Sequence, residues 1–278
     1  MSTVSLHAHS DRRNSLTSTA WEDIVGGLFK SELWGRMAWL DVKRRYQRTT
    51  LGPFWNSATL TLYTVAVGTV GAGLFHQDFY QYLPYLISGM IVWTLVSTII
   101  LESCTLFVSG HALLRNVRFE YSILAYALVW RNSIFFIHNF LVYLVIALLL
   151  KPQLIGFTAL LAIPGLFIVL LNGVWIALLA GMFCLRFRDV QQLVQTAIQI
   201  LMLITPIFWR ADDLSGARLF IFVQMNPVYR LIDIVRAPLL GVVPSAASYV
   251  AALAITAVGW FLAFLMFRYF RKRISYWS

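Results

Sequence analysis

Apolar residues fall into six long runs separated by short polar connectors, and each run is long enough to cross a bilayer. A spanning helix needs about 20 residues, at about 1.5 Å each, to cover ~30 Å of hydrocarbon. The pattern predicts spans at Asn56–Phe75, Pro84–Val108, Tyr121–Leu149, Phe157–Leu185, Gln191–Trp209 and Ala246–Phe267. Ahead of them the pattern changes. Trp21, Ile24, Val25 and Leu28, then Leu33, Met37 and Leu40, recur at helical spacing opposite Arg36, Lys43 and Arg44. Such a helix is amphipathic and too polar to span, so it belongs in the membrane interface. Thr19 and Glu22 fit a capping box at its start. Residues 1–18 lack apolar periodicity and the apolar core of a secretory signal, and read as a disordered tail. The chain is expected to be all-α, with a tail at 1–18, an interfacial region at 19–52 and one six-helix membrane domain at 53–278.

Between spans five and six, Leu219–Met225 and Val228–Leu240 are apolar but too short to span. They are predicted as outer re-entrant or interfacial helices. Asn226 and Pro227 supply a cap and an N1 proline for the second of them. Val228, Leu231, Ile232 and Val235 form one face, with Arg230, Asp233 and Arg236 on the other. Non-spanning backbone at membrane depth survives only where it is buried in protein or faces water. A solvated cavity or pore mouth is therefore expected beside this segment.

Composition agrees with the pattern. The 278 residues are 59% hydrophobic and 12% charged, with a mean hydropathy of +0.73; a soluble domain averages about 25% charged residues. The net charge of +10 would suit nucleic acid, but the bases sit at the ends of apolar runs rather than in one stripe, which excludes that partner. Charge placement also sets orientation. With the N-terminus inside, 16 of the 22 Lys and Arg fall on the inner side and 5 outside, Arg131 lying within a span. Lys43, Arg44, Arg45 and Arg48 stand directly ahead of the first span, where they favour the cytoplasmic side and anionic lipid. Both termini are expected in the cytosol. Cys104 and Cys184 lie in or at the end of apolar runs and read as small apolar residues rather than a disulfide.

No phosphate-binding loop exists, since none of the four lysines follows a glycine, and H-E-x-x-H and G-x-S-x-G are also absent. Ionisable residues inside spans carry the next signal, because each is costly there. Glu102 and Arg131 are predicted at comparable depth and as a pair, with His138 seven residues from Arg131 on the same helical face and Asn139 beside it. A structural tie between two helices is the plainer reading, and a role in gating or substrate contact the functional one. Aromatics such as Phe79, Tyr80, Tyr82 and Tyr85 suit an interfacial belt. Alternatively some line a path for sugar rings, with Tyr63, Phe208 and Trp209 the candidates. The inner loop His111–Glu120 carries Leu113, Leu114, Arg115, Val117 and Arg118. It reads as a solvated connector or, better, as a docking element for a cytoplasmic partner. Gly68, Gly71 and Gly73 permit close helix approach, including at a dimer seam.

Seven stretches together resemble the membrane permeases of type-2 ABC exporters, in the branch that exports lipid-linked polysaccharides such as O-antigen. They are DVKRRYQRTTLGPFW at 41–55, YLPYLISGMIVW at 82–93, VWRNSIFFIHNFLVY at 129–143, RFRDVQQLVQ at 186–195, TPIFW at 205–209, NPVYRLIDIVRAPLLG at 226–241 and the terminal Tyr276-Trp277. The resemblance implies a homodimer in the bacterial inner membrane above two copies of a separate ATPase, which binds ATP and Mg; no cofactor is expected in this chain. It implies docking of that ATPase at His111–Glu120 and the amphipathic helix, and outer re-entrant helices at 210–241 that close the channel. Spans one and five of the two copies would border a path for a polyprenyl-linked glycan. Teichoic acid, galactan, capsule, lipo-oligosaccharide or a drug are alternative cargoes for the same fold. A rival of another class is an intramembrane transferase using His138, Glu102 and Arg131, which requires those groups in one pocket.

Overall fold

The computed structural model describes residues 20–277 except 48, 51, 53, 111–119 and 211–222; for Lys272 and residues 275–277 it describes only the backbone. The predicted tail at 1–18, the Thr19 cap, most of the inner loop (His111, Leu113, Leu114, Arg115, Val117 and Arg118) and the start of the outer 219–225 segment lie outside the described residues.

The described chain is helical throughout. Helix α1 (20–29) and α2 (Ser31–Tyr46) form the amphipathic region, broken at Lys30. They are followed by α3 (Phe54–Leu74), α4 (Phe79–Ser103), the short α5 (Leu106–Ser109), α6 (Ser122–Leu150), α7 (Ala162–Arg186), α8 (Val190–Ile204), α9 (Pro227–Leu239) and α10 (Ala246–Trp277). Two 3-10 turns, Pro152–Leu154 and Phe157–Leu161, lead into α7. Five helical stretches among the described residues are long and apolar enough to cross a membrane. Their burial differs, and the difference places them. The apolar window of α4 is 83% buried whereas that of α10 is 22% buried, so α4 is the axis of the bundle and α10 turns most of its surface outward. Around α4 pack α3, α6, α7 and α9, while α10 lies along α7 and α2 crosses α6.

The fifth predicted span is corrected. Gln191–Trp209 is not one helix: α8 stops at Ile204 after 15 residues, and Thr205 is extended (φ −77, ψ 131). Pro206 is the cause, since the residue before a proline is pushed out of the helical region. Asp189, at the N-cap position of this helix, makes no side-chain cap bond. The segment nevertheless has to cross. Asp23 in α1 pairs with Arg271 in α10 at 2.6 Å, so the two ends of the chain share one end of the bundle. Five crossings would separate them; a sixth, made by α8 and the non-helical 205–210, restores the parity.

Small residues set the closest approaches. A Cβ added at Gly165 of α7 would overlap the carbonyl of Ile234 in α9, and one at Gly259 of α10 would overlap the indole of Trp175 in α7. Beside the second contact, buried Asn172 donates to Thr256 Oγ1 and accepts from Trp175 Nε1, each at 2.8 Å. Small residues with polar bonds across the seam are the usual adhesive between helices in lipid. Helix α9 starts as predicted, with Asn226 Oδ1 accepting from Val228 N at 2.9 Å and Pro227 in the first turn. It ends on Gly241 in the left-handed region (φ 77), with Val242 N bonded to the Ala237 carbonyl and Gly241 N to that of Pro238, which satisfies its last carbonyls.

Candidate functional site

Two polar clusters occupy opposite ends of the bundle. At the end that carries α1 and α2, Glu102 sits in the last turn of α4 rather than several turns inside it, because α4 ends at Ser103. Arg131 lies deeper in α6 and reaches it, Nη2 to Oε2 at 2.8 Å. The pair is not alone. Arg131 Nη1 also donates to Asp41 at 2.9 Å, Arg45 Nη1 donates to Glu102 Oε1 at 2.9 Å, and Asn132 Nδ2 donates to Glu102 Oε2 at 2.8 Å. Three ion pairs thus run Asp41–Arg131–Glu102–Arg45, and α2, which carries both Asp41 and Arg45, closes them into a charge-balanced ring that fastens the interfacial helix to two spans. Balance matters here because Glu102 and Arg131 keep only about a fifth of their side-chain exposure (22% and 19%), and an unpaired charge at such a depth is costly. The ring borders a cavity of about 710 Å³ lined also by Met37, Leu40 and Arg44.

His138 and Asn139 are not part of this ring. His138 Nδ1 meets the Ile134 carbonyl at 2.7 Å and its ring stands edge-on to Phe54. Asn139 is buried and accepts from Ser57 Oγ at 3.0 Å, joining α6 to α3. The cavity bordered by Glu102 and Arg131 does not include His138, so the grouping that a transferase would need is not assembled.

Close by, Asp23 is fully buried beneath α1. Its carboxylate accepts from Tyr121 N at 3.2 Å and Ser122 N at 3.0 Å, which caps α6, and from Arg271 Nε at 2.6 Å. Lys30 pairs with Glu120 at 2.6 Å. Partial burial pushes the Glu120 carboxyl up, but the hydrogen bond and charge of Lys30 more than offset this and hold it below the usual carboxylate value.

The other end is built differently. Here α8 has ended, and the carbonyls of residues 206–209 have no helical partners. Two tyrosines three apart on α4 supply them: Tyr82 Oη donates to the Phe208 carbonyl, and Tyr85 Oη donates to that of Trp209 at 2.8 Å. Arg236 of α9, 5% exposed, donates from Nη1 to the Pro206 carbonyl at 2.6 Å and to Tyr85 Oη at 3.0 Å. Arg230 instead bonds the Gln224 carbonyl and Ser248 Oγ, and Ser248 Oγ donates to Asp233 at 2.7 Å. Asp233 and Arg236 both line a cavity of about 360 Å³ with Tyr85, Tyr229, Lys151 and Arg210. Trp209 packs on Val223 and Tyr229. Tyr63 stands apart, exposed on α3 and about 12 Å along that helix from Gly71, where Tyr82 packs.

The fold is a helical membrane bundle with an interfacial amphipathic helix and a short sunken helix before the last span. The family model described as ABC-2 type transporter matches residues 32–240, three quarters of the chain. The chain belongs to the ABC-2 type transporter family. No curated protein matches it in sequence. ABC-2 membrane subunits form a transport path and work with an ATPase partner, so this ABC-2 permease is a multi-pass transport subunit rather than an enzyme.

Sequence reading missed three members of the ABC-2 permease's polar clusters. Asp41 and Arg45 read as part of the polybasic stretch, although their i, i+4 spacing places opposite charges on one face. Asp23 gave no signal, since its partners are 98 and 248 residues away.

Proposed function

We propose that this ABC-2 permease exports a polyprenyl-linked polysaccharide of the O-antigen type across the bacterial inner membrane, as a homodimer above two copies of a cytoplasmic ATPase. The observation that carries this reading is the outer cluster. Where α8 breaks, Tyr85 and Tyr229 line an open cavity beside charged side chains, with Tyr82, Phe208 and Trp209 packed around them. Aromatic faces next to hydrogen-bonding groups are the surface that sugar rings slide along, because their C–H faces stack while their hydroxyls stay solvated.

In this reading α1 and α2 lie in the inner leaflet, and the segment between α5 and α6 docks the ATPase. The charged ring of Asp41, Arg45, Glu102 and Arg131 then transmits that docking to α4 and α6 as one body. Helix α9 closes the outer side. No covalent chemistry occurs in this chain, and ATP with its Mg is consumed by the partner.

Deletion of the chain in its host tests the reading. Finished lipid-linked glycan is expected to accumulate inside and to disappear from the surface; unchanged surface glycan refutes the proposal. ATPase stimulation of the purified complex by the glycan, compared with teichoic acid and capsule polymers, separates the cargoes.

A further inference from the structure

The cations at the two ends of the bundle are treated in opposite ways. Every ion pair among the described residues, from Asp23–Arg271 to Glu102–Arg131, lies at the end that carries α1 and α2. At the other end Lys151, Arg210 and Arg236 converge on one cavity and make no ion pair among the described residues. Among the described residues one acid, Asp233, lines that cavity with them, and it accepts from Ser248 Oγ at 2.7 Å rather than from any of the three.

The convergence is tight. The guanidinium of Arg236 stands 4.6 Å from the centre of the Tyr85 ring and that of Arg210 stands 5.2 Å from it. Two like charges around one ring repel, and burial of Arg236 strengthens the repulsion by removing water. Arg236 spends Nη1 on Tyr85 and Pro206, while its Nη2 and Nε make no hydrogen bond among the described residues. The buried Nε of Arg210 is likewise without a partner there, residues 211–222 being outside the description. Among the described residues, three cations against one carboxylate leave an excess of two positive charges, which suits a dianion better than a monocarboxylate. A sugar phosphomonoester carries ≈ −1.5 to −2 at neutral pH, a diphosphate bridging a lipid and a sugar about two charges and a single lipid phosphodiester about one, and guanidinium forks match phosphate oxygens. The volume of about 360 Å³ falls within the ~300–1,000 Å³ of small-molecule sites, and Tyr85 and Tyr229 line it beside the charge.

We propose that the cavity formed by Lys151, Arg210 and Arg236 binds a phosphate-bearing group, with the adjoining sugar or glycerol against Tyr85 and Tyr229. The phosphate comes either from the cargo or from a lipid headgroup. This deepens the export reading and rests on it only for which of the two fills the site in the cell. Bound phosphate would tie α9 to the turn after α6 and to the end of the broken crossing, so occupancy and closure of the outer side are linked.

The full chain in phosphatidylcholine nanodiscs, titrated calorimetrically with glucose 1-phosphate, inorganic diphosphate and free glucose, tests this. Both phosphates are expected to bind and free glucose not to. Lys151→Gln, whose target makes no side-chain bond among the described residues, should keep the thermal midpoint and weaken phosphate binding about tenfold, the loss of one charged hydrogen bond. Arg236→Lys, which retains the charge and a donor for Pro206 but loses the fork, should weaken it similarly. Arg188→Gln, at the opposite end of α7, should change nothing. Tighter binding of the sugar phosphate than of diphosphate assigns the site to the glycan. Suppression of binding in phosphatidylglycerol nanodiscs assigns it to a lipid headgroup. Absence of phosphate binding, binding unchanged in both cavity variants, or an equal loss with Arg188→Gln overturns the proposal. The titration needs neither ATP nor a polymer, so its result stands or falls separately from the export test.

Discussion

The two ends of this bundle solve one problem, holding polar backbone and short helices against a membrane domain, with different chemistry. One end uses opposite charges: Asp41, Arg45, Glu102 and Arg131 in a ring, then Asp23–Arg271 and Lys30–Glu120 around it. The other uses tyrosine hydroxyls and one buried arginine that donate to main-chain carbonyls. Tyr143 Oη donating to the Leu239 carbonyl continues that scheme at the end of α9. Charged rings answer to pH and salt, whereas neutral hydroxyl–carbonyl bonds answer to neither. The contrast says that the charged end can be tuned by pH and salt and that the hydroxyl–carbonyl bonds of the tyrosine end are set by shape.

The largest effect is expected from Glu102→Ala. It strands Arg131 and Arg45 next to each other, and breaking a buried pair in this way costs about 3–5 kcal/mol, here at the low end because some exposure is retained. Thermal unfolding of the purified chain should fall accordingly, and Glu102→Gln should fall less. Exchanging the charges of Glu102 and Arg131 should recover little, since each then faces a like charge on Asp41 or Arg45. Full recovery would mean that the pair acts alone. Gly165→Ala comes next. The added methyl meets the Ile234 carbonyl, which belongs to backbone and cannot swing aside, and overpacking of this kind costs about 1–3 kcal/mol. Tyr85→Phe removes the donor to Trp209 and the acceptor for Arg236, for a loss of about 1–2 kcal/mol. That loss should be the same in low and high salt, while the Glu102 loss should shrink with salt.

The smallest effect is that of Lys30→Ala. Lys30 is half exposed, so its pair with Glu120 is worth at most about 1 kcal/mol. Its pH dependence has a definite sign. The folded state holds the Glu120 carboxyl below its usual value, so the contribution is complete above that usual value and is lost as pH falls through the lowered one. An acid titration of the melting temperature should show this step in the parent chain and not in Lys30→Ala.

The helices were legible from sequence because lipid demands long, continuous apolar stretches, and α3, α4, α6, α7 and α10 each meet that demand. Gln191–Trp209 misled for an informative reason. Its composition is apolar to the end, but Pro206 stops the helix, and composition does not register where hydrogen bonds stop. Glu102 and Arg131 could be matched by depth, yet Asp41 and Arg45 hid in a stretch read only for its net charge. The outer cluster was partly legible through Asn226-Pro227 and the short apolar runs. What escaped was the use of Tyr82 and Tyr85, since a tyrosine near an interface looks the same whether it anchors to lipid or to another strand of the chain.

Asp23 has a mechanical consequence. One carboxylate holds the first turn of α6, helix α1 and the final basic stretch of α10 at a single point. Any pull on the segment that enters α6 at Tyr121 must drag all three together or break the point apart. Head and tail of the polypeptide are thereby yoked to the same lever, and motion at that lever reaches the far side through α6 and α10 in step.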